Sequence, residues 1–363
     1  MTGLYIHIPF CARKCPYCDF YSLPYSKKLC EDYVSALVRN IRHFAPQGIS
    51  IDSIYFGGGT PSLLCSSQVK AILDAVGDSF DVHDPEITLE ANPCTADLRK
   101  LSEYREAGVN RLSLGVQSAN DTELEKLGRL HDFKRAEKAV HDAVKAGFEN
   151  ISCDIMLGTA QQTLISLENS IDALINLPLQ HISAYMLKIE KGTPYDCEEV
   201  RSAAADDDLM SEMYLKTVQK LADAGFEQYE ISNFAKLGFE SRHNLKYWTG
   251  ESYIGIGASA HSFFGGKRFF CPKEIGSFVS GELQAEVTED ENPDLTEEYV
   301  MFGLRLAKGI RLDKLGENAE MIAQKAKLYE KYGLCRLTED TLSLTPKGFL
   351  VSNSLIAEFV QCL

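Results

Sequence analysis

Short apolar or β-branched runs recur along the first two thirds of the chain, at 4–8, 53–56, 86–89, 111–115, 151–157 and 181–187. Each has the length of a strand. Between them, apolar residues fall at helical spacing: Val69, Ile72, Leu73 and Val76 behind Ser66 and Ser67 as caps, then Leu98 and Leu101 behind Thr95. Further on come Ala136, Val140 and Val144, then Leu164, Leu167, Ile171 and Leu174. Six strands over residues 4–187 give roughly 30 residues per unit, the size of a βα repeat.

Three predicted helices stop in the same way. Ala107-Gly108-Val109, Ala146-Gly147-Phe148 and Ala224-Gly225-Phe226 each put glycine at the left-handed position after a helix, with an apolar residue next. This rhythm predicts parallel βα units in series, and six are too few to close an eight-stranded barrel. The expected fold is therefore α/β, an open, partial (β/α)6 barrel over residues 1–235. Segment 236–293 breaks the rhythm and reads as loop-rich. Helical spacing returns over 296–304 and 321–332; two short alternating runs, 334–337 and 341–344, follow, and Pro346 opens a last helix. Helices followed by a small hairpin predict a winged-helix-like module over 294–363.

With 363 residues, 45% hydrophobic, the chain can bury a substantial core. Its 37 Lys and Arg against 52 Asp and Glu give a formal charge of −15, a poor surface for nucleic acid, so the C-terminal module is expected to act as a lid or docking element. Eleven scattered cysteines, an odd number, imply a reducing compartment rather than a disulfide framework. The first strand begins almost at Met1, and no apolar run reaches about 18 residues, so the expectation is a cytoplasmic protein.

Three of the cysteines carry the chemistry. Cys11, Cys15 and Cys18 form a C-x3-C-x2-C triplet just after the first strand, which Pro9 ends. A structural zinc site closes with four ligands, and no further Cys or His follows at zinc-finger spacing. Three thiolates on a [4Fe–4S] cluster would leave one iron open to a non-protein ligand. The triplet lies at a strand's C-terminal end, the face on which barrel enzymes place their sites. Along the same face stand Gly57-Gly58-Gly59-Thr60-Pro61 after strand two, Glu90 at the end of strand three, Gly115-Val116-Gln117-Ser118 after strand four, Arg129 in the next loop, and Asp154 on strand five.

The triplet in this position resembles the radical S-adenosylmethionine (SAM) superfamily, and with Tyr5-Ile6-His7-Ile8-Pro9-Phe10-Cys11 and Leu127-Gly128-Arg129 the chain resembles the oxygen-independent coproporphyrinogen III oxidase family over essentially its whole length. That resemblance implies a partial (β/α)6 barrel, a [4Fe–4S] cluster on Cys11, Cys15 and Cys18, and a deoxyadenosyl radical formed from SAM. It also implies SAM contacts from Tyr5, Gly58, Gly59, Thr60, Glu90, Gln117, Arg129 and Asp154. The family has two branches. The oxidase carries a further Cys two positions after the third cluster cysteine, and an N-terminal extension; this chain has Phe20 at that position and begins close to its first strand. The HemW-type haem chaperone branch carries C-x3-C-x2-C-x-F and His-Asn-x-x-Tyr-Trp, and this chain has both, the second as His243-Asn244-Leu245-Lys246-Tyr247-Trp248.

The expected function is thus a haem chaperone that binds haem b as cargo and hands it to an acceptor haem protein, on a scaffold holding a cluster and SAM. The alternative is radical oxidative decarboxylation of porphyrinogen propionates. Imidazole is a normal axial ligand and aromatic rings pack a porphyrin face, so His243, Asn244, Tyr247 and Trp248 are the haem candidates, with His261 as a second candidate ligand. Expected partners are haem, acceptor haem proteins including membrane-bound ones that would bring the chain to a membrane periphery, and a second copy of the chain. Where relatives run Asp-x-x-x-Gly-Leu-Pro after strand five, Thr159-Ala160 follows Gly158 here, which predicts a differently shaped loop.

Overall fold

Strand β1 (Thr2–Ile8) is buried at every position but Tyr5, as expected for a strand covered on both faces. The computed structural model describes residues 1–281 and 283–363. After β1 the chain alternates through α1 (Lys27–His43), β2 (Ser50–Gly58), α2 (Ser66–Ser79), β3 (Asp81–Ala91), α3 (Leu98–Ala107) and β4 (Arg111–Gln117). It continues through α4 (Asp121–Lys126), α5 (Phe133–Lys145), β5 (Asn150–Leu157), α6 (Leu164–Ile175) and β6 (His181–Met186). Strands β1 to β6 pair in parallel and in chain order. The partial α/β barrel of the sequence analysis is borne out.

Local chemistry explains the helix ends. Val109, Phe148 and Phe226 donate their backbone N–H back to Tyr104, Ala143 and Leu221 at 3.1, 3.0 and 2.9 Å, closing the helix before each glycine. All three apolar residues are buried, so each stop also anchors its helix to the core. The starts differ from expectation by a residue or two. Cys65, not Ser66, caps α2 in a reciprocal arrangement with Gln68, and Asp97, not Thr95, accepts from the N–H of Lys100 to cap α3.

Beyond β6 follow α7 (Glu198–Ala203), α8 (Asp207–Asp223), β7 (Glu227–Gln228) and β8 (Asn233–Ala235), the last antiparallel to β6. Segment 236–293, expected to be loop-rich, instead contributes α9 (Arg242–Thr249), β9 (Tyr253–Ile256), β10 (His261–Phe264), β11 (Lys267–Phe270), α10 (Ile275–Ser280) and β12 (Val287–Asp290). Strand β9 is a seventh parallel strand on the free side of β1, and β10 to β12 extend it antiparallel. Its four residues are too short to show a pattern, and its pairing is with the far end of the chain. One open sheet results, in the order β12-β11-β10-β9-β1-β2-β3-β4-β5-β6-β8-β7.

The C-terminal residues form α11 (Leu295–Gly303), β13 (Ile310–Arg311), α12 (Ala319–Glu330), β14 (Cys335–Leu337), β15 (Thr341–Leu344), α13 (Pro346–Leu350) and α14 (Ser352–Val360). The three strands make a small antiparallel sheet, β13-β15-β14. Val300, Leu304, Ile322, Phe349 and Phe359 form a second core that also takes in Tyr214 of α8. The N–H groups of Ile231 and Ala307 bond across to Arg305 and Tyr229, each at 3.0 Å, fixing this part to the barrel. Among the described residues no helix is long and apolar enough to cross a membrane.

Candidate functional site

The cysteine loop is closed at its neck before any cofactor is considered. Phe10–Cys11 pairs in parallel with Leu23–Pro24, and the N–H groups of Leu23 and Tyr25 bond to Pro9 and Cys11 at 2.6 and 3.0 Å. Phe10 anchors the neck, fully buried edge-on against Tyr25 and Tyr33. Within the loop Cys11, Cys15 and Cys18 are free and half-buried, and Cys18 N–H bonds to the Cys15 carbonyl at 3.1 Å. Thr60 Oγ1 donates to Cys11 Sγ at 3.6 Å, and Arg129 Nη1 donates to Cys15 Sγ at 3.5 Å.

The glycine run holds this loop against β2. A Cβ on Gly58, whose φ is +109°, would lie 2.4 Å from the His7 ring; one on Gly59 would lie 2.7 Å from the Phe10 carbonyl. Gly59 and Thr60 donate their N–H groups to Ile8 and Phe10 at 2.9 and 2.8 Å, so these amides serve the cysteine loop itself. His7 completes the clasp, with Nδ1 on Tyr5 Oη at 3.0 Å and Nε2 on the Tyr21 carbonyl at 3.1 Å.

Below the thiols lies a polar interior. Glu90 accepts from Tyr55 Oη at 2.9 Å and from Gly58 N–H at 3.2 Å. Burial, with Asp154 nearby, still raises its pKa to about 7. Burial raises Asp154 to about 6, opposed by hydrogen bonds from Ser183 and Ser113 and by Arg111 and Arg129. Arg129 bonds to the Gly115 carbonyl at 2.5 Å through Nη2, while its buried Nε has no partner among the described residues. Burial works against its charge, but Tyr17 and Cys15 beside it prevail and raise its pKa. Gln117 is buried at a φ of +75°, and Tyr5 sits a layer deeper, its ring centre 6.2 Å from that of Tyr55.

The fold thus brings Gly58, Gly59, Thr60, Glu90, Gln117, Arg129 and Asp154 to one rim with the three cysteines. Sequence reasoning missed the layer beneath, comprising Ser53, Tyr55, Thr88, Arg111, Ser113, Ser152, His181 and Ser183. Its signal was there: polar residues recur at every second position, as in Glu86-x-Thr88-x-Glu90, Arg111-x-Ser113 and Ser152-x-Asp154. The loop after β5 is organised by Gln162, which accepts from Gly158 N–H at 2.7 Å and donates to Glu123 at 3.0 Å, with Thr159 buried beside it.

The segment His243–Trp248, expected to bind haem, lies at the opposite end. Glu86 accepts from the N–H groups of Arg242 and His243, both at 3.2 Å, and so receives the start of α9 at the N-terminal ends of the strands. His243 is fully buried: Nδ1 bonds to Ser53 Oγ and Nε2 to Tyr247 Oη, both at 3.0 Å, and its ring stacks on Tyr55. Burial drives its pKa down to about 3. In this fold both ring nitrogens of His243, the residue expected as axial ligand, are engaged, and solvent does not reach them. Asn244 joins the same cap through its N–H to Ser241 Oγ at 3.4 Å. Trp248 lies beneath the Arg305 guanidinium, 5.9 Å from the ring centre, and links α9 to the C-terminal part.

The cysteine rim fits the cofactors that the sequence implied. Its three thiols are unpaired and lie on one loop at the C-terminal end of β1. Three thiols of this kind suit a multi-iron cluster, one thiolate per iron. When bound, a [4Fe–4S] cluster with three protein ligands supplies one iron with an open coordination position. The free Nε–H of Arg129 can receive a carboxylate beside it, and Glu90 and Asp154 can hold amino or hydroxyl groups.

Comparison with known proteins agrees. Residues 5–174 match the radical SAM superfamily and residues 291–351 match the HemN C-terminal domain. The heme chaperone HemW of Bacillus subtilis (strain 168) is 35% identical, the alignment covering 99% of each chain. That of Escherichia coli (strain K12) is 34% identical over 99% of this chain and 98% of its own. In fold, the chain superposes on the radical SAM enzyme coproporphyrinogen III oxidase (HemN) of Escherichia coli with a TM-score of 0.85, covering 100% of this chain and 90% of that one at 21% identity. With full-length relatives at this identity, three thiols on a partial barrel and a HemN-type C-terminal part, the chain belongs to the HemW family of the radical SAM superfamily.

Proposed function

We propose that this chain binds haem and passes it to an acceptor haem protein, with a cluster and SAM bound at the rim of the barrel. One observation carries the choice over porphyrinogen decarboxylation: two positions after Cys18 stands Phe20, 69% exposed, where the oxidase branch has a further thiol. The relatives named as heme chaperones, aligned over the full chain, support the same branch. We assign acceptor docking to the C-terminal residues 294–363, which have their own core and join the barrel through α8 and Arg305. A membrane-bound acceptor would place the chain at a membrane surface, and a second copy of the chain is a further candidate partner.

The test is transfer. Protein reconstituted anaerobically with iron and sulfide and loaded with haem is mixed with an apo haem protein, and the Soret band is followed. Movement of haem to the acceptor faster than from haem-loaded albumin supports the proposal; transfer no faster than this passive release contradicts it.

A further inference from the structure

Eight histidines are present, and their positions divide them sharply. His7, His131, His181 and His243 are buried, and each has at least one ring nitrogen hydrogen-bonded. His43, His83, His141 and His261 are exposed. Of these, His43 ends α1, His83 lies near the start of β3 and His141 lies in the latter half of α5, all toward the end of the barrel away from the thiols. His261 alone is on the thiol side. It opens β10 directly after the loop that leaves the C-terminal end of β9, and in that loop Gly257 sits against the His7 carbonyl.

The His261 imidazole is exposed and has no hydrogen-bond partner among the described residues. Nδ1 lies 3.6 Å from Glu289 Oε2, beyond hydrogen-bond distance, and Nε2 has no partner among the described residues. The ring stacks on Phe270, with centres 5.3 Å apart and planes 28° from parallel. Phe270 is paired with His261 on one side and Val287 on the other, so imidazole, phenyl and valine form one row across three strands. At strand spacing this row spans about 10 Å of surface. The His261 side chain is 55% exposed and Val287 43% exposed, at the edge of the sheet.

We infer that His261 is the axial ligand for haem, with Phe270 and Val287 under the macrocycle, and that His243 instead closes the barrel floor. This assignment rests on the haem-carrying reading above. An exposed ligand on a sheet edge suits cargo that must be given up, since an acceptor can reach the iron without opening a core.

The experiment titrates haem into full-length, anaerobically reconstituted protein and reads the Soret band of the ferric form and of its reduced carbon monoxide complex. His261→Gly should weaken haem binding at least tenfold and shift the Soret band of the carbon monoxide complex away from that of a histidine-ligated haem, and free imidazole should restore it. His243→Gln should bind within twofold of wild type. The assignment is overturned if His261→Gly keeps the wild-type spectrum and affinity, if the loss follows His243→Gln, or if it follows Cys65→Ser or Cys197→Ser, the two exposed thiols. Absence of saturable haem binding by the wild type would instead overturn the haem-carrying reading itself, and with it this assignment.

Discussion

Arg129 is the residue on which the rim turns. One nitrogen holds the Gly115 carbonyl, one faces Cys15 and one is left free, so its fork is fixed before any ligand arrives. A charge-assisted hydrogen bond to a carboxylate contributes about 1.5–3 kcal/mol. Arg129→Ala should therefore lower SAM affinity by roughly tenfold to a hundredfold; calorimetric titration of reconstituted protein giving unchanged affinity would remove Arg129 from the site. Away from the rim, Glu230 tests burial alone. It is fully buried, Oε2 has no partner among the described residues, and burial raises its pKa to about 7. The folded chain then keeps a proton that the unfolded chain has released, so Glu230 costs stability progressively as pH rises from its ordinary 4.5 through about 7. Glu230→Gln removes this titration. Urea denaturation should show the variant gaining on wild type by up to about 3 kcal/mol between pH 4.5 and pH 8; a pH-independent difference would contradict the buried, protonated carboxyl.

At the scale of elements, what could be read from the chain depended on the distance over which the signal acts. The helix stops at Gly108, Gly147 and Gly225 are local, and each is where the sequence put it. So is the cysteine loop, whose strand, proline and neck lie within 25 residues. Strand β9 was not legible, because a four-residue run acquires its meaning only from pairing with β1, about 250 residues earlier. The His243 motif shows the same limit: its residue types suit haem, but Glu86 and Ser53, from strands far away in sequence, turn α9 inward as a floor. That role predicts a cost. His243→Ala would leave Ser53 and Tyr247 unpaired around a cavity beneath Tyr55 and should destabilise the protein by about 2–4 kcal/mol. A loss below about 0.5 kcal/mol in chemical denaturation would mean that the floor does not depend on this imidazole.

For the molecule as a whole, the thiol rim and the His261 surface stand on the same side of one sheet yet share no side chain, so cluster and cargo should be separable. The cysteine loop is tied by backbone bonds and by Phe10 rather than by its thiols. Cys15→Ala should accordingly lose most of its reconstituted iron while its melting temperature without the cluster stays within a few degrees of wild type; global unfolding would contradict the architecture. The central claim, a haem carrier on a radical SAM scaffold, is tested most directly by one anaerobic experiment on reconstituted wild type. Haem is titrated at the Soret band while parallel samples are given coproporphyrinogen III, SAM and reductant. One saturable haem site per chain without decarboxylated product is the predicted result. Decarboxylation without saturable haem binding would make the protein an oxidase and contradict the account.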